Sequence, residues 1–393
     1  MFIILTHCPH FCVYKSILTS VGLYIDGVEA EELDSNTTYI LDTEQSTCTY
    51  KDGTEIPDLS ISYDSETGGL SISPYTTKGT KCTLYFNEQV LVRDTLLANY
   101  PTQLTRTFPI SNSTKVTNTT TGTIYYEDTS KGRTYYFAGN PTDNWVQFGG
   151  FYWRIIRINE DGTVRMIYQG TETNVTGEDT QIQTSTFNSN WNNNMYVGYM
   201  YDNNQVHGLM NDSTIKKVLD RWYQNNLVDV ADEIDGNAGF CGDRTPYSGT
   251  GLGITVTNYA AFGRFSSSSN VNPTFECTDK RDLYTTSGSE DGNGALTYPI
   301  GLITIDEVVY AGGARGTSNS NLSYYLYTGE QYLTMTPYVY NGSTTDIFMV
   351  TLNGSFLNTN TLSSWGVRPV INLKADVQIT GGSGTSSNPY VIS

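Results

Sequence analysis

Alternating apolar and polar residues predict that much of the chain forms β-strands. Residues 59–63 alternate in this way, and a glycine pair separates them from a second alternating run at 70–73. Near the end of the chain, residues 376–380 and 389–392 flank a Gly-Ser turn and predict a terminal hairpin. The pattern therefore favours antiparallel strands joined by short turns.

The strongest strand signal lies at residues 145–158. Turn residues at 160–162 return this strand as residues 164–168, which predicts a hairpin whose aromatic residues belong to the core. The doubled apolar pair Ile155-Ile156 breaks the alternation. We therefore expect a β-bulge, or burial on both faces, at this point.

Apolar residues at helical spacing predict one clear helix in the second half of the chain. Asp212 or Ser213 is placed to cap its first turn, and Lys216, Lys217 and Arg221 are expected to face water. The apolar stripe that would dock on the sheet comprises Ile215, Val218, Leu219, Trp222, Tyr223 and Leu227.

A second, shorter helix is predicted by a capping box at Thr304 and Glu307, and glycines at 312 and 313 would end it. Asp306 and Glu307 are adjacent carboxylates, as in acid/base catalysis. Adjacent residues diverge on a helix, however, and negative charge in a first turn is stabilising for purely structural reasons.

The predicted fold is α+β and mainly β, with four segments. Residues 1–20 lack the basic start and continuous apolar core of a signal peptide, so we interpret them as the remnant of a leader or as a misassigned start. Residues 21–88 form a small disulfide-linked β-domain, and residues 89–120 a short helix with a Thr/Ser/Asn linker. Residues 121–393 form a larger domain with two helices packed on antiparallel sheet.

Four of the six cysteines fall into two separated pairs, Cys48 with Cys82 and Cys241 with Cys277. Two disulfides, and hence an extracytoplasmic, secreted or cell-surface location, are the favoured interpretation. The alternative is four buried thiols in a cytosolic protein. The remaining pair, Cys8 and Cys12, lies among histidines, but this spacing is too tight for a zinc tetrahedron.

Charge excludes some partners. The chain has 22 basic and 40 acidic residues, a net charge of −18, so it would repel nucleic acid. No run of about 20 apolar residues predicts membrane insertion.

Candidate catalytic and metal sites are sparse. His207 is the only histidine outside the first twenty residues, and its polar setting is typical of a turn rather than of a catalytic triad. No cofactor is expected, with calcium as the one alternative because some loops are acidic. Those loops contain Asp232, Glu233 and Asp235, and further along Glu290 and Asp291.

Binding is better supported, because the chain has 30 tyrosines, and Tyr with Ser, Gly and Asn is typical of binding surfaces. Near the C-terminus, Ile347, Met349 and Leu352 are expected to face the core. The residues expected to share an exposed face are Tyr338, Tyr340, Asn341, Asp346, Phe348, Asn353, Phe356, Asn358 and Asn360. An ordinary β-meander with polar turns is the alternative.

Several stretches resemble a large group of uncharacterised surface proteins from Gram-positive gut bacteria. The likeness covers residues 121–393 and, less firmly, 21–88. Its clearest stretches are Asn144-Trp145-Val146-x-Phe148-x-Gly150-Phe151-x-Trp153-Arg154-Ile155-Ile156, Gly239-Phe240-Cys241-Gly242-Asp243-Arg244, Tyr298-Pro299-Ile300-Gly301-Leu302-Ile303-Thr304 and Gly366-Val367-Arg368-Pro369-Val370-Ile371-Asn372-Leu373.

The larger domain also resembles the formylglycine-generating-enzyme branch of the C-type lectin fold. That resemblance implies a lectin-like architecture, but no cysteine follows Cys277, which argues against sulfatase maturation. The fold also hosts the variable proteins of diversity-generating retroelements, whose diversified segment would correspond to residues 334–364. Arg368, among apolar neighbours, is expected to be structural and to need a carboxylate or carbonyl partner.

The favoured function is therefore that of a ligand-binding protein, adhesin or receptor-like, whose partner is an unknown protein or glycan. An enzyme acting on surface glycans or proteins, and a structural surface or pilus-associated subunit, are the alternatives.

Overall fold

A computed structural model describes residues 18–34, 39–64, 68–74, 79–88, 92–289 and 292–392. The chain divides into two compact units, residues 1–90 and 91–393. The cysteines and histidines before residue 18, and the candidate calcium ligands Glu290 and Asp291, lie outside the described residues.

The first unit contains a four-stranded sheet and a separate hairpin. The sheet order is β2-β1-β6-β3, in which β1 and β6 are parallel and the other pairs antiparallel. The hairpin β4–β5 confirms the predicted alternating pair. The strands are β1 Leu18–Ile25, β2 Val28–Ala30, β3 Tyr39–Tyr50, β4 Ser60–Asp64, β5 Gly69–Ser73 and β6 Thr80–Glu88.

A disulfide joins the edge strand β3 to its neighbour β6. Cys48 on β3 and Cys82 on β6 are direct cross-strand partners and are bonded to each other, as predicted. Leu41, Leu84 and Phe86 are buried around them and form the core of the unit.

The second unit is also built mainly from strands. Those before residue 290 are β7 Thr102–Leu104, β8 Thr123–Thr129, β9 Gly132–Tyr136, β10 Trp145–Phe148, β11 Phe151–Ile158, β12 Val164–Gly170, β13 Gln183–Thr186, β14 Met200–Tyr201, β15 Asn211–Asp212, β16 Ile234–Asp235, β17 Phe240–Cys241, β18 Pro246–Ser248, β19 Thr257–Tyr259, β20 Leu283–Tyr284 and β21 Gly288–Ser289. Those after it are β22 Gly292–Asn293, β23 Tyr332–Tyr340, β24 Thr345–Val350, β25 Phe356–Asn360, β26 Ser364–Val367, β27 Val370–Leu373, β28 Ile379–Gly381 and β29 Tyr390–Ile392.

Helices are few. The α-helices of the described chain are α1 Val92–Ala98, α2 Thr214–Asn226, α3 Ala260–Phe265 and α4 Ile305–Ala311. Short 3₁₀ turns lie at Gly177–Thr180, Asn194–Val197, Val228–Glu233 and Lys280–Asp282. The predicted class, α+β and mainly β, is therefore confirmed, but α3 was not predicted.

Two sheets organise the second unit. The larger runs β16-β27-β12-β11-β10-β29-β28, with β7, β8 and β9 attached through β11. The other runs β13-β26-β23-β19-β18, with β24 and β25 continuing from β23. The predicted terminal hairpin is present as β28–β29.

The strand predicted at residues 145–158 is split in two. A turn at Gly149-Gly150, both at positive φ, separates β10 from β11, and the two strands pair as a hairpin of their own. The expected bulge is present, because the register between β11 and β12 shifts after Ile155, and both isoleucines of the doubled pair are buried.

Helix α2 packs on this hairpin through its apolar stripe. The ring of Trp222 lies 6.2 Å from that of Trp153, and Ser213 rather than Asp212 is its N-cap. Lys216, which was predicted to face water, is only 1% exposed. Its ammonium lies 3.3 Å from Asp212 and 2.6 Å from Asp220, and these two carboxylates make its burial tolerable.

The segment predicted as a linker belongs to the second unit. Val92, Leu96 and Tyr100 are buried in the main core, and Thr102–Leu104 pairs with β8. Further along, Ile110 forms a bridge with Val271. A few buried apolar residues and backbone pairs therefore hold this otherwise polar segment against the second unit.

Arg368 is structural, as expected, and is almost completely buried. It is 1% exposed, and its guanidinium donates to the carbonyl oxygen of Tyr168 at 3.0 Å, to Gln169 Oε1 at 2.6 Å and to the carbonyl oxygen of Leu326 at 3.3 Å. Burial lowers the pKa of Arg368, and nearby tyrosines partly offset that effect.

Candidate functional site

Three residues predicted to share an exposed face are buried. Tyr340 is 2% exposed, Phe348 0% and Phe356 1%. Conversely Leu352, which was expected in the core, is 53% exposed in the turn between β24 and β25. Ile347 and Met349 are buried as predicted.

Helix α3 explains the burial of Phe348 and Phe356. Phe265 on α3 lies 6.0 Å from Phe348 and 5.8 Å from Phe356, and Phe262 lies 5.2 Å from Tyr338, all measured between ring centroids. The sheet is therefore covered on the face that strand alternation had left open. Alternation identifies two faces but does not say that one is solvated.

The other residues predicted for this face are partly or fully exposed. Most of them serve local turns and strand pairs. Asn341 holds the β23–β24 turn by accepting from the backbone nitrogens of residues 343 and 344, and Asn353 holds the next turn. Asn358 donates to Asp346 across two strands at 2.8 Å, and Asn360 accepts from the backbone of residue 362. Tyr338 is half-buried, and its hydroxyl accepts from Arg315 at 2.9 Å.

A different surface forms where four segments meet at one end of the second sheet. We call it the tip surface and define it by residues 189–192, 249–256, 341–344 and 360–362. The backbone nitrogen of Thr345 donates to the carbonyl oxygen of Trp191 at 2.8 Å, and the Thr361 hydroxyl donates to that of Asn190 at 3.1 Å. The side chain of Asn194 donates to three carbonyl oxygens of the 249–256 loop, at 2.7 to 3.2 Å.

Apolar side chains protrude from this surface. Ile254 is 73% exposed and Val256 56%, and Trp191, Leu252 and Leu362 are also exposed. Asn, Ser, Thr and Gly surround them, so the tip surface has the composition of a binding surface.

The second unit also contains a cavity of about 430 Å³. We call it the charged cavity. Its walls come from the β11–β12 hairpin, the segment around the Cys241–Cys277 disulfide, helix α3 and the first turn of α4. Buried ionised groups at its base form two clusters that meet at the adjacent residues Asp306 and Glu307.

The first cluster places two guanidiniums on one carboxylate. Glu307 Oε1 lies 2.6 Å from Arg165 Nε and 3.1 Å from Arg157 Nε, while Oε2 accepts from the backbone of Thr304 at 2.9 Å in the predicted capping box. Burial alone would raise the pKa of Glu307, but the two guanidiniums outweigh burial and hold that pKa below its ordinary value. Burial lowers the pKa of Arg165 to about 10 despite Glu307.

The second cluster places two carboxylates on one guanidinium. Arg264 donates to both oxygens of Asp306 at 2.8 Å and to Asp243 Oδ2 at 2.5 Å. Burial raises the pKa of Asp306, and Arg264 only partly offsets that effect. The environments of these two neighbouring carboxyls therefore move their pKa values in opposite directions.

Asp243 shows two further signs of constraint. Its φ is 40°, a left-handed conformation that costs a non-glycine residue energy. Although the residue is only 3% exposed, its Oδ1 has no hydrogen-bond partner within the described chain. Burying a carboxylate oxygen without a hydrogen-bond partner costs free energy. The position of Asp243 Oδ1 at a cavity therefore makes it a candidate contact for a ligand.

His207 lies in a turn, as predicted, with carboxylates nearby. Its Nδ1 lies 3.0 Å from Asp282 and its Nε2 3.7 Å from Asp279. Asp282 is fully buried and already accepts from the backbone and side chain of Arg244, so it holds the loop in place. In the part of the chain that the structure describes, no hydroxyl or thiol hydrogen-bonds to His207, so a triad arrangement is not formed there.

The described residues contain no group of three or more His, Cys, Asp or Glu side chains placed to hold a metal ion. Of the candidate calcium ligands, Asp235 instead accepts from the backbone nitrogens of Asn237 and Ala238.

Sequence reasoning missed the arginines and Asp243 of the charged cavity, and it assigned Asp306 and Glu307 only a helix-capping role. One available signal was the presence of Arg157 and Arg165 inside strands that are otherwise strongly apolar. Of the tip surface, the predicted binding residues included only Asn341 and Asn360, because residues 249–256 lie in a stretch without periodicity.

The described chain contains no helix of sufficient length and apolarity to cross a membrane. Its two disulfides indicate an oxidising compartment outside the cytoplasm. In comparisons with known proteins, the chain matches no family model, no curated protein and no solved structure.

Proposed function

We propose that this chain is a receptor-like binding protein, secreted or displayed on a cell surface, that contacts a protein or glycan ligand through the tip surface. The observation that carries the proposal is the exposure of Trp191, Leu252, Ile254, Val256 and Leu362 together at one end of the sheet. Contiguous exposed apolar side chains within a polar rim are characteristic of interaction sites.

The hydrogen bonds that hold the tip surface rigid support the same proposal. The 249–256 loop is fixed by the three hydrogen bonds from Asn194, whose own Oδ1 accepts from the buried Tyr259 at 2.8 Å. The β23–β24 turn is tied to its neighbours through Thr345 and Thr361, whose hydroxyls lie 2.7 Å apart. A surface held in place before binding loses little conformational entropy when the ligand arrives.

The proposal includes a C-type-lectin-like second unit whose surface is diversified. The segment that the resemblance marks as variable, residues 334–364, supplies two of the four parts of the tip surface, 341–344 and 360–362. A near-copy of the codons for residues 334–373 beside a reverse-transcriptase gene, differing at adenines, would support diversification. A genome without such a copy would contradict that part of the proposal.

Binding is tested on protein and glycan arrays with the intact chain, followed by affinity measurement on each hit. We expect the double variant Trp191→Ala/Ile254→Ser to weaken binding by roughly thirtyfold, because truncating a central aromatic at an interface commonly costs about 2 kcal/mol. The matched control is Leu352→Ser, which removes an exposed apolar side chain at the opposite end of β24; its exposure of 53% lies between those of Trp191, 39%, and Ile254, 73%.

The affinity of Leu352→Ser for each ligand should stay within about twofold of that of the unsubstituted chain. The proposal fails if no array ligand binds, or if the hits bind equally well to the double variant.

A further inference from the structure

The charged cavity is separate from the tip surface, since none of the residues that line it belongs to the four tip segments. Its volume of about 430 Å³ falls within the range of about 300–1,000 Å³ that holds small ligands. The ionised groups at its base are buried, so their interactions with a ligand would be weakly screened.

One side of the base carries excess positive charge. Arg157 and Arg165 share the single carboxylate of Glu307, which leaves one guanidinium charge uncompensated. Arg157 contributes its Nε to Glu307, and its two terminal nitrogens have no protein partner in the described residues. The ring of Phe275, 5.0 Å from the guanidinium carbon, holds this side chain in place. These free donors suit a carboxylate.

The other side carries excess negative charge. Asp243 and Asp306 share the single guanidinium of Arg264, so this cluster of three side chains has one carboxylate more than it has guanidinium groups. Asp243 Oδ1 is the buried oxygen without a partner in the described chain, and Asp243 lines the cavity. An unsatisfied anionic oxygen suits an ammonium donor.

The two sides belong to one cavity, since Arg157, Arg165 and Glu307 line it together with Asp243, Arg264 and Asp306. We propose that the charged cavity binds a small zwitterion of the free amino acid class, with its carboxylate on Arg157 and its ammonium on Asp243. This inference does not depend on the tip surface, and it assigns the second unit a small-molecule site.

The test is a thermal-unfolding screen of the whole chain against the free amino acids, followed by calorimetric titration. Each hit is compared with its N-acetyl derivative, which lacks the ammonium, and its carboxamide, which lacks the carboxylate. We expect at least one free amino acid to raise the unfolding midpoint in a concentration-dependent manner, and both derivatives to bind at least tenfold more weakly.

Variants locate the site. Arg157→Gln should weaken binding of the hit at least tenfold, as should Asp243→Asn. Because Asp243 also pairs with Arg264, Arg157→Gln decides the matter if Asp243→Asn does not fold. Arg133→Gln is the matched control, since Arg133 is an exposed arginine that also pairs with an aspartate, Asp128.

Several results overturn the inference. They are the absence of binding by any free amino acid, equal binding of either derivative, and unchanged binding by Arg157→Gln. Retained amino acid binding in Trp191→Ala/Ile254→Ser would support it and would separate this site from the tip surface.

Discussion

Replacing Glu307 by Gln should destabilise the second unit by about 3–5 kcal/mol at pH 7, the usual cost of removing one partner of a buried ion pair. The Gln oxygen still accepts from the Thr304 backbone, so the capping box is kept. What is lost is the negative charge facing Arg165 and Arg157, whose side chains are only 1% and 11% exposed. Two buried guanidiniums would then lack a counter-ion.

The effect depends on pH. The pKa of Glu307 in the folded chain lies below its unfolded value of about 4.5, so its contribution to stability is fully present above that value. It is lost as the pH falls through the lower, folded-state pKa. The difference between the unsubstituted chain and Glu307→Gln should therefore shrink below about pH 4.5. Asp306 has a raised pKa and responds in the opposite sense, but it is present in both proteins and cancels in the comparison.

Urea unfolding followed by tryptophan fluorescence measures this difference, because all five tryptophans lie at or beyond residue 145 and report on the second unit alone. Glu172→Gln, a substitution at an exposed glutamate, is the control and should change stability by less than about 0.5 kcal/mol. A Glu307→Gln effect below about 1 kcal/mol, or one that stays constant from pH 7 to pH 3, would refute this reasoning.

Two further predictions concern the parts that shape the sites. Removing the bridge with Cys241→Ser/Cys277→Ser should cost about 3–4 kcal/mol from the entropy of a loop with a sequence separation of 36, measurable by urea unfolding; an unchanged midpoint would show that the bridge adds nothing. Phe265→Ala should cost about 3–5 kcal/mol, because it opens a cavity between α3 and the sheet under Phe348 and Phe356. The same unfolding assay applies, and a loss under 1 kcal/mol would mean that α3 is not a necessary cover.

Local signals in the sequence were sufficient for several elements. The β4–β5 hairpin, the bulge after Ile155, the apolar stripe of α2 and the capping box of α4 each depend on residues a few positions apart. Helix α3 gave no such signal, because six residues that include Gly263 are too few to establish helical periodicity.

The candidate sites could not be predicted from the sequence because their residues pair with partners far away along the chain. Arg157 and Arg165 share one partner, Glu307, which lies about 150 positions away in the sequence. The carboxylates that pair with Arg264 come from the loop after β17 and from the first turn of α4. Nothing in the neighbourhood of any one of these residues indicates that the others will meet it. Exposure was mispredicted for the same reason, since Phe348 is covered by a helix about 85 positions earlier in the chain.

The way Asn194 holds the 249–256 loop has a consequence for substitution. Its amide nitrogen donates only to backbone carbonyls, and positive φ at Gly251 and Gly253 sets the turns between them. The loop conformation is thus determined by the main chain and by the buried amide of Asn194. The protruding side chains of Ile254 and Val256 take no part in maintaining it. Substitutions at those positions should therefore change the chemistry of the tip surface at almost no cost in folding.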